Sequence, residues 1–254
     1  MPPPGFDTIA LMSRQYVFLA ATLLALALAL PIHAQEEPPP LWSGTGELSF
    51  VAISGNTDMS SLGFGAELFW KPLPWEAEFK AAFVTTETEG EQTAESLNAI
   101  LGIAREISPR TAGYGRANWL VNTFAGIDSR TFLEGGLAFK VIEQEEQELR
   151  LEGGVGYTIE NRVDAEDLDF ATGRGGVVYR WKFSETAEFG EDFSLLLNLE
   201  DADDFRIANL ASISSRLTDL FSLKLSHALS FYNEPVEGFG DTDQIVSAAI
   251  VAKW

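Results

Sequence analysis

Between Ser61 and Lys71 the side chains alternate. Leu62, Phe64, Ala66, Leu68 and Trp70 fall on one parity, while Ser61, Gly63, Gly65, Glu67 and Lys71 fall on the other, with Phe69 the exception. Successive side chains of an extended backbone point to opposite sides, so a period of two predicts a strand with one apolar face. The alternation returns along the chain. Trp75, Ala77, Phe79, Ala81 and Phe83 oppose Glu76, Glu78 and Lys80; Leu149, Leu151, Val155, Tyr157 and Ile159 oppose Arg150, Glu152 and Thr158. Val177, Tyr179, Trp181 and Phe183 oppose Arg174, Arg180 and Lys182. Phe193, Leu195, Leu197 and Leu199 oppose Ser194, Asn198 and Glu200, and Phe221, Leu223, Leu225, Leu229 and Phe231 oppose Ser222, Lys224, Ser226 and Ser230.

Turn signals separate these runs. They are Gly55–Asp58, Pro72–Pro74, Thr88–Gly90, Ser108–Arg110, Gly126–Asp128, Gln144–Glu146, Asn161–Asp167, Ser184–Thr186, Asp201–Asp204, Leu217–Asp219 and Asn233–Gly240. These separators predict about twelve strands, with ten or fourteen as the neighbouring counts. Phe205–Arg216 is the least regular strand, because Asn209 interrupts its apolar parity. An even count places both termini on one side, and the spacing suits tilted spanning strands of about ten residues with short connections.

A soluble sandwich also alternates, so three further features decide. Trp42, Trp70, Trp75, Trp119, Tyr157, Trp181 and Phe231 sit near strand ends, where interfacial aromatic girdles belong. Glycine weakens an ordinary strand but permits bending and frees interior space in a barrel. Here it is frequent: Gly63, Gly65, Gly113, Gly115, Gly135, Gly136, Gly153, Gly154, Gly156, Gly173, Gly175 and Gly176. Finally, the chain ends on Trp254, and counting back by twos gives Ala252, Ile250, Ala248 and Val246. An apolar face with a terminal aromatic matches the signal read by outer-membrane assembly machinery. The expected fold is therefore all-β: a closed antiparallel transmembrane β-barrel of about twelve strands.

The N-terminus changes the picture by adding a targeting segment. Ser13-Arg14 is a short basic region, Tyr16–Leu30 is apolar, Pro31 breaks it, and Ile32-His33-Ala34 offers a cleavage site. Residues 1–34 are expected to be a signal peptide with its true start at Met12. Residues 35–40 form a short leader, and 41–254 form a single barrel domain. The absence of cysteine leaves an exported protein without disulfides, so stability must come from elsewhere. A net charge of -21 excludes nucleic acid as a partner. With 46% hydrophobic and 11% aromatic residues, most of the chain is expected to be ordered.

Leu41-Trp42-Ser43-Gly44-Thr45-Gly46-Glu47-Leu48, followed by the turn Ser54-Gly55-Asn56-Thr57-Asp58, resembles the family of salt-induced outer membrane proteins, an uncharacterised bacterial group. Phe124–Arg130, Glu134–Phe139 and Gly153–Glu160 continue the resemblance, which covers 41–254. It implies an outer-membrane barrel and transfers no catalytic residue. Asn122-Thr123-Phe124-Ala125 departs from the pattern, since a more polar lead-in is expected there.

The polar parity supplies the candidate site. Glu47, Glu67, Lys80, Arg116, Glu134, Lys140 and Arg150 are expected to line the lumen, together with Glu152, Arg174, Arg180, Lys182, Glu200 and Lys224. Such a lining either selects solutes or merely satisfies buried charge. His227 is the one mature histidine, and alternation points it outward with Leu225 and Leu229. A lipid hydrolase would need a serine on an adjacent strand to meet it. The acidic stretches Glu87–Glu91, Asp164–Asp169 and Asp201–Asp204 lack the spacing of a calcium loop and read as a solvated rim. No metal, no cofactor and no enzymatic activity are expected. The expected partners are outer-membrane lipid, lipopolysaccharide and the assembly machinery, with the oligomeric state open. The leading functional expectation is a small passive pore for ions or small solutes. A closed structural envelope barrel is the alternative, and a lipid-modifying hydrolase a second one.

Overall fold

Alternating segments bury one face only if that face finds a partner surface, and a sheet that spans lipid must also leave no backbone edge unpaired. Closing the sheet on itself meets both demands. The computed structural model describes residues 41–53, 59–88 and 91–254. The signal segment, the leader and the Ser54–Asp58 turn lie outside the described residues.

The strands are β1 (Trp42–Ile53), β2 (Met59–Trp70), β3 (Trp75–Thr88), β4 (Glu91–Ser108), β5 (Thr111–Asn122) and β6 (Ile127–Glu143), then β7 (Gln147–Arg162), β8 (Leu168–Lys182), β9 (Ala187–Asn198), β10 (Phe205–Arg216), β11 (Phe221–Tyr232) and β12 (Thr242–Lys253). They form one closed antiparallel barrel in which each strand pairs with its sequence neighbours and β12 returns to β1. Both ends of the domain lie at one rim with the connections after β2, β4, β6, β8 and β10, here called the termini end. The opposite rim, the loop end, carries the longest described connection, 233–241.

The expected turn at Gly126–Asp128 is displaced toward the N-terminus. A one-turn 3-10 helix covers Thr123–Ala125, Gly126 takes φ 70° and β6 already begins at Ile127. Glycine reaches the left-handed region without steric cost.

The two faces of the sheet are inverted relative to a soluble protein. Val155 is 67% exposed on the outside, whereas Glu160 on the inside is 1% exposed. Leu101, Ile103, Leu133, Leu225, Val246 and Ile250 are likewise exposed, while Glu134, Glu152, Arg206 and Thr172 are buried. An apolar skin around a charged interior is the arrangement that hydrocarbon outside and water inside select. Trp42, Trp70, Trp75, Trp119, Tyr157 and Trp181 all lie on the outer face with large exposed areas. Trp42 and Trp70 stack across the β1–β2 pair, with ring centroids 5.8 Å apart. Phe69, the break in the sequence alternation, points inward, where the Lys80 ammonium lies 5.5 Å from its ring centroid.

The strand glycines divide between the faces, so only the inward half can free luminal space. By register, Gly63, Gly65, Gly136, Gly154, Gly156 and Gly176 face inward, whereas Gly113, Gly115, Gly135, Gly153, Gly173 and Gly175 face outward. Their demands differ accordingly. A Cβ on Gly156 would lie 2.1 Å from the carbonyl oxygen of Leu133, while one on Gly153 meets nothing within 4 Å.

This contrast is testable within one strand. Gly156→Ala should destabilise the barrel by about 1–3 kcal/mol, and Gly153→Ala should leave it within about 0.5 kcal/mol of the parent. Guanidinium titration of the refolded protein in micelles measures both.

Candidate functional site

Charged side chains on neighbouring strands of a barrel meet where the register brings them level, so each inward parity contributes one rung. The largest such group follows the wall from β3 to β8. Arg116 on β5 is its hub. Its Nε donates to Glu78 Oε1 at 3.3 Å, and its Nη1 to Glu134 Oε1 at 2.9 Å and Glu152 Oε2 at 3.1 Å. Arg174 Nη1 donates to Glu152 Oε2 at 2.8 Å. Arg150 lies 3.2 Å from Glu152 and Lys80 lies 3.3 Å from Glu78. Inward glycines make room for this ladder: a Cβ on Gly102 would collide with Glu78, and one on Gly136 or Gly154 with the Tyr114 hydroxyl. Below the ladder, at the termini end, is a cavity of about 320 Å³ that reaches the turns at Lys71–Trp75 and Pro109.

A second group lies near the loop end. Glu160 on β7 accepts from Arg130 Nε and Arg206 Nη1, each at 2.5 Å, and from Arg162 Nε at 2.7 Å. Arg206 Nε also donates to Asp204 at 3.1 Å. The Arg130 guanidinium lies 5.5 Å from the centroid of the Tyr232 ring. Arg130 is on β6 and Tyr232 on β11, nearly opposite in the ring, so these side chains span the mouth. Ala125, Ile127 and Tyr232 form a buried apolar cluster there, joined by Leu120. From the apolar lead-in Asn122–Ala125, Ala125 packs against the far wall. Over it lies the 233–241 connection, whose Phe239 ring sits where a Cβ of Gly126 would be, 2.5 Å away. Its Val236 is buried.

The sequence-expected residues distribute as follows. Lys80, Arg116, Glu134, Arg150, Glu152 and Arg174 meet in the wall ladder. Glu47 and Lys224 form a separate pair at 2.7 Å that reaches across β12. Glu67 faces inward opposite Lys80 in the register. Arg180 Nη2 donates to both oxygens of Asp192, at 2.9 and 2.7 Å. Lys140 bonds Glu143 near the termini rim, and Lys182 ends β8 there, exposed. Glu200 is a correction: it lies past the end of β9, where its Oε1 accepts the Ala171 N–H, so it does not stand on the inward face of a strand. Sequence reasoning left Glu78, Arg130, Glu160, Arg162, Asp204 and Arg206 out of the candidate set, although Glu78, Arg130 and Glu160 had the right parity.

The remaining candidates are simpler. His227 faces outward and its Nε2 bonds Gln244 Oε1 at 3.1 Å. Across the two adjacent strands it meets Ala211 and Val246, and among the described residues no serine faces it from either. The acidic rim is partly used in turn formation: Asp167 Oδ1 accepts the Arg162 N–H, Asp201 Oδ1 accepts the Asp203 N–H, and Asp169 bonds the Tyr157 hydroxyl. Among the described residues no group of acids and histidines is arranged to hold a metal.

The family model described as "Protein of unknown function, DUF481" matches residues 46–254. The chain belongs to the DUF481 family. No curated protein matches it in sequence. Two solved structures share the DUF481 barrel's architecture. The COG4313 outer membrane channel from Pseudomonas putida F1 is 8% identical, covers 88% of this chain and 100% of its own, and gives a TM-score of 0.52. The NanC porin is 8% identical, covers 83% of this chain and 98% of its own, and gives a TM-score of 0.50. At such identity the likeness shows the fold: a closed barrel of the outer-membrane type.

Removing one partner from a buried ionic group leaves the others uncompensated. Arg116→Met in this DUF481 barrel should therefore cost about 3–5 kcal/mol in guanidinium unfolding. Adding Glu134→Gln, whose nearest cation is Arg116, to that variant should recover part of the loss.

Proposed function

We propose that this protein resides in the outer membrane as a small-solute channel whose loop-end mouth is held shut. The observation that carries this reading is the contact between Arg130 and Tyr232 across the ring, above a lumen walled by charged and glycine positions. A wholly structural barrel gains little from such an interior, because buried ion pairs stabilise no better than well-packed apolar side chains of similar volume. A path for solutes needs polar walls, and a path that must not leak needs a closure built from a few removable contacts. The exposed apolar skin supports the membrane location, and the outward parity of β12, continued by Trp254 just past its end, supports recognition by assembly machinery.

Planar-bilayer recording of the refolded protein tests the reading, with heat-modified gel mobility confirming that each sample is folded. The parent should be closed most of the time and show brief, small steps. Tyr232→Ala with Arg130→Ala should raise the open fraction at least ten-fold. A folded double variant that stays silent would establish the closed structural barrel instead.

A further inference from the structure

The wall is not sealed evenly. β1 pairs with β2 along its whole length, from Trp42↔Trp70 to Ile53↔Met59, and β12 pairs with β11 from Ala252↔Phe221 to Thr242↔Phe231. The β1–β12 seam is much shorter. It runs from the mutual backbone bonds of Gly44 and Trp254, at 3.0 and 3.1 Å, through Thr45↔Lys253 to Ser49↔Ala249. Among the described residues, no pair continues it toward the loop end. Were the register to continue, Phe50 would face Ala248 and three further residues of β1 would find partners. About 13 Å of strand edge is therefore left open on β1.

Unpaired N–H and C=O groups cost several kcal/mol each in hydrocarbon, so an edge at membrane depth persists only where water reaches it. Both flanks of this gap are apolar on the outside: Phe50 is 64% and Val246 is 73% exposed. Its inner side is mixed: Ser247 faces the lumen there beside Ile245 and bonds Ser226 at 2.7 Å, and Ser49 faces the lumen in the last formed pair just below. Near the top of the gap stands Asp243, also inward by register, whose buried Oδ2 has no hydrogen-bond partner. The gap begins just above the Lys224–Glu47 pair, which ties β11 to β1 below it. It occupies the same half of the barrel as the bridged mouth, so a solute that cannot pass axially has a sideways opening beside it.

We infer that the upper β1–β12 seam is a lateral portal between the lumen and the outer leaflet, and that it takes amphiphiles with a cationic head group. The tail lies against Phe50 and Val246, and the ammonium head meets Asp243. This inference rests on reading the lumen as a solute path and names the class of solute and its route.

The chain has no cysteine, so engineered pairs report without background. Leu48→Cys with Ile250→Cys spans a formed outward pair, and Phe50→Cys with Ala248→Cys spans the next outward position, two residues along each strand. A disulfide needs Cα atoms within about 7 Å. In bilayer-reconstituted protein, the first pair should oxidise at least ten-fold faster than the second. Equal rates would overturn the portal whatever the conductance of the protein. For the ligand, the probe is a dodecylamine bearing a diazirine. Photolabelling should concentrate on residues 242–249, fall at least five-fold under excess dodecylamine, and fall equally in Asp243→Asn, while an alkyl phosphate analogue should show no competed labelling. Uniform labelling of the outer face without competition would overturn the assignment of the ligand. The cysteine comparison and the labelling are both independent of channel opening, so a silent barrel with a reactive portal separates this inference from the preceding one.

Discussion

Every backbone donor and acceptor that enters hydrocarbon must find its partner within the chain, and this requirement organises the molecule. It forces the sheet to close, and closure makes the last strand meet the first. The meeting is where the demand is hardest to satisfy, because two segments some two hundred residues apart must find one register. The Trp254 ring lies over Gly44, where a Cβ would sit 2.8 Å from it, and the Lys224–Glu47 pair reinforces the same stretch from inside. Where neither acts, the seam is not formed.

Closure also decides where charge goes. The chain carries 38 acidic and 17 basic residues, and most of the bases are drawn inside the ring. Arg116, Arg150, Arg174, Arg130 and Arg206 each have carboxylates within bonding distance there. Many of the acids are left in rim and turn segments. The two interior groups are built differently. The wall ladder joins strands close together in the ring and stiffens one side of the lumen. The upper group joins strands on opposite sides and fills the bore. Planar, forked guanidinium groups suit both, since each can bond several carboxylates at once.

Much of this was legible in the sequence because it is local. Alternation needs only neighbouring residues, so the strands, their faces and the turns could be read directly, and the count of twelve agrees with the structure. What depends on ring geometry was not. Glu160, Arg130 and Arg206 lie far apart in sequence, and only the stagger accumulated around the barrel brings them level. The cross-barrel role of Tyr232 has no local signature. One hint was present: Asn122–Ala125 is less polar than a lead-in is expected to be, and its Ala125 packs on the far wall. Parity misled at Glu200, because β9 ends at Asn198 and alternation has no meaning beyond it. It was also not applied to the glycines, half of which turn out to face lipid.

The final hairpin carries both fastenings of the barrel: Tyr232 ends β11, and Trp254 follows β12. The mouth therefore has no far wall to close against until β11 has arrived, and the ring has no closing bond until β12 follows. A barrel still short of these strands is an open, hydrated trough. Sealing thus depends on this one hairpin, and a chain truncated within it would fail as a barrier before it failed as a sheet.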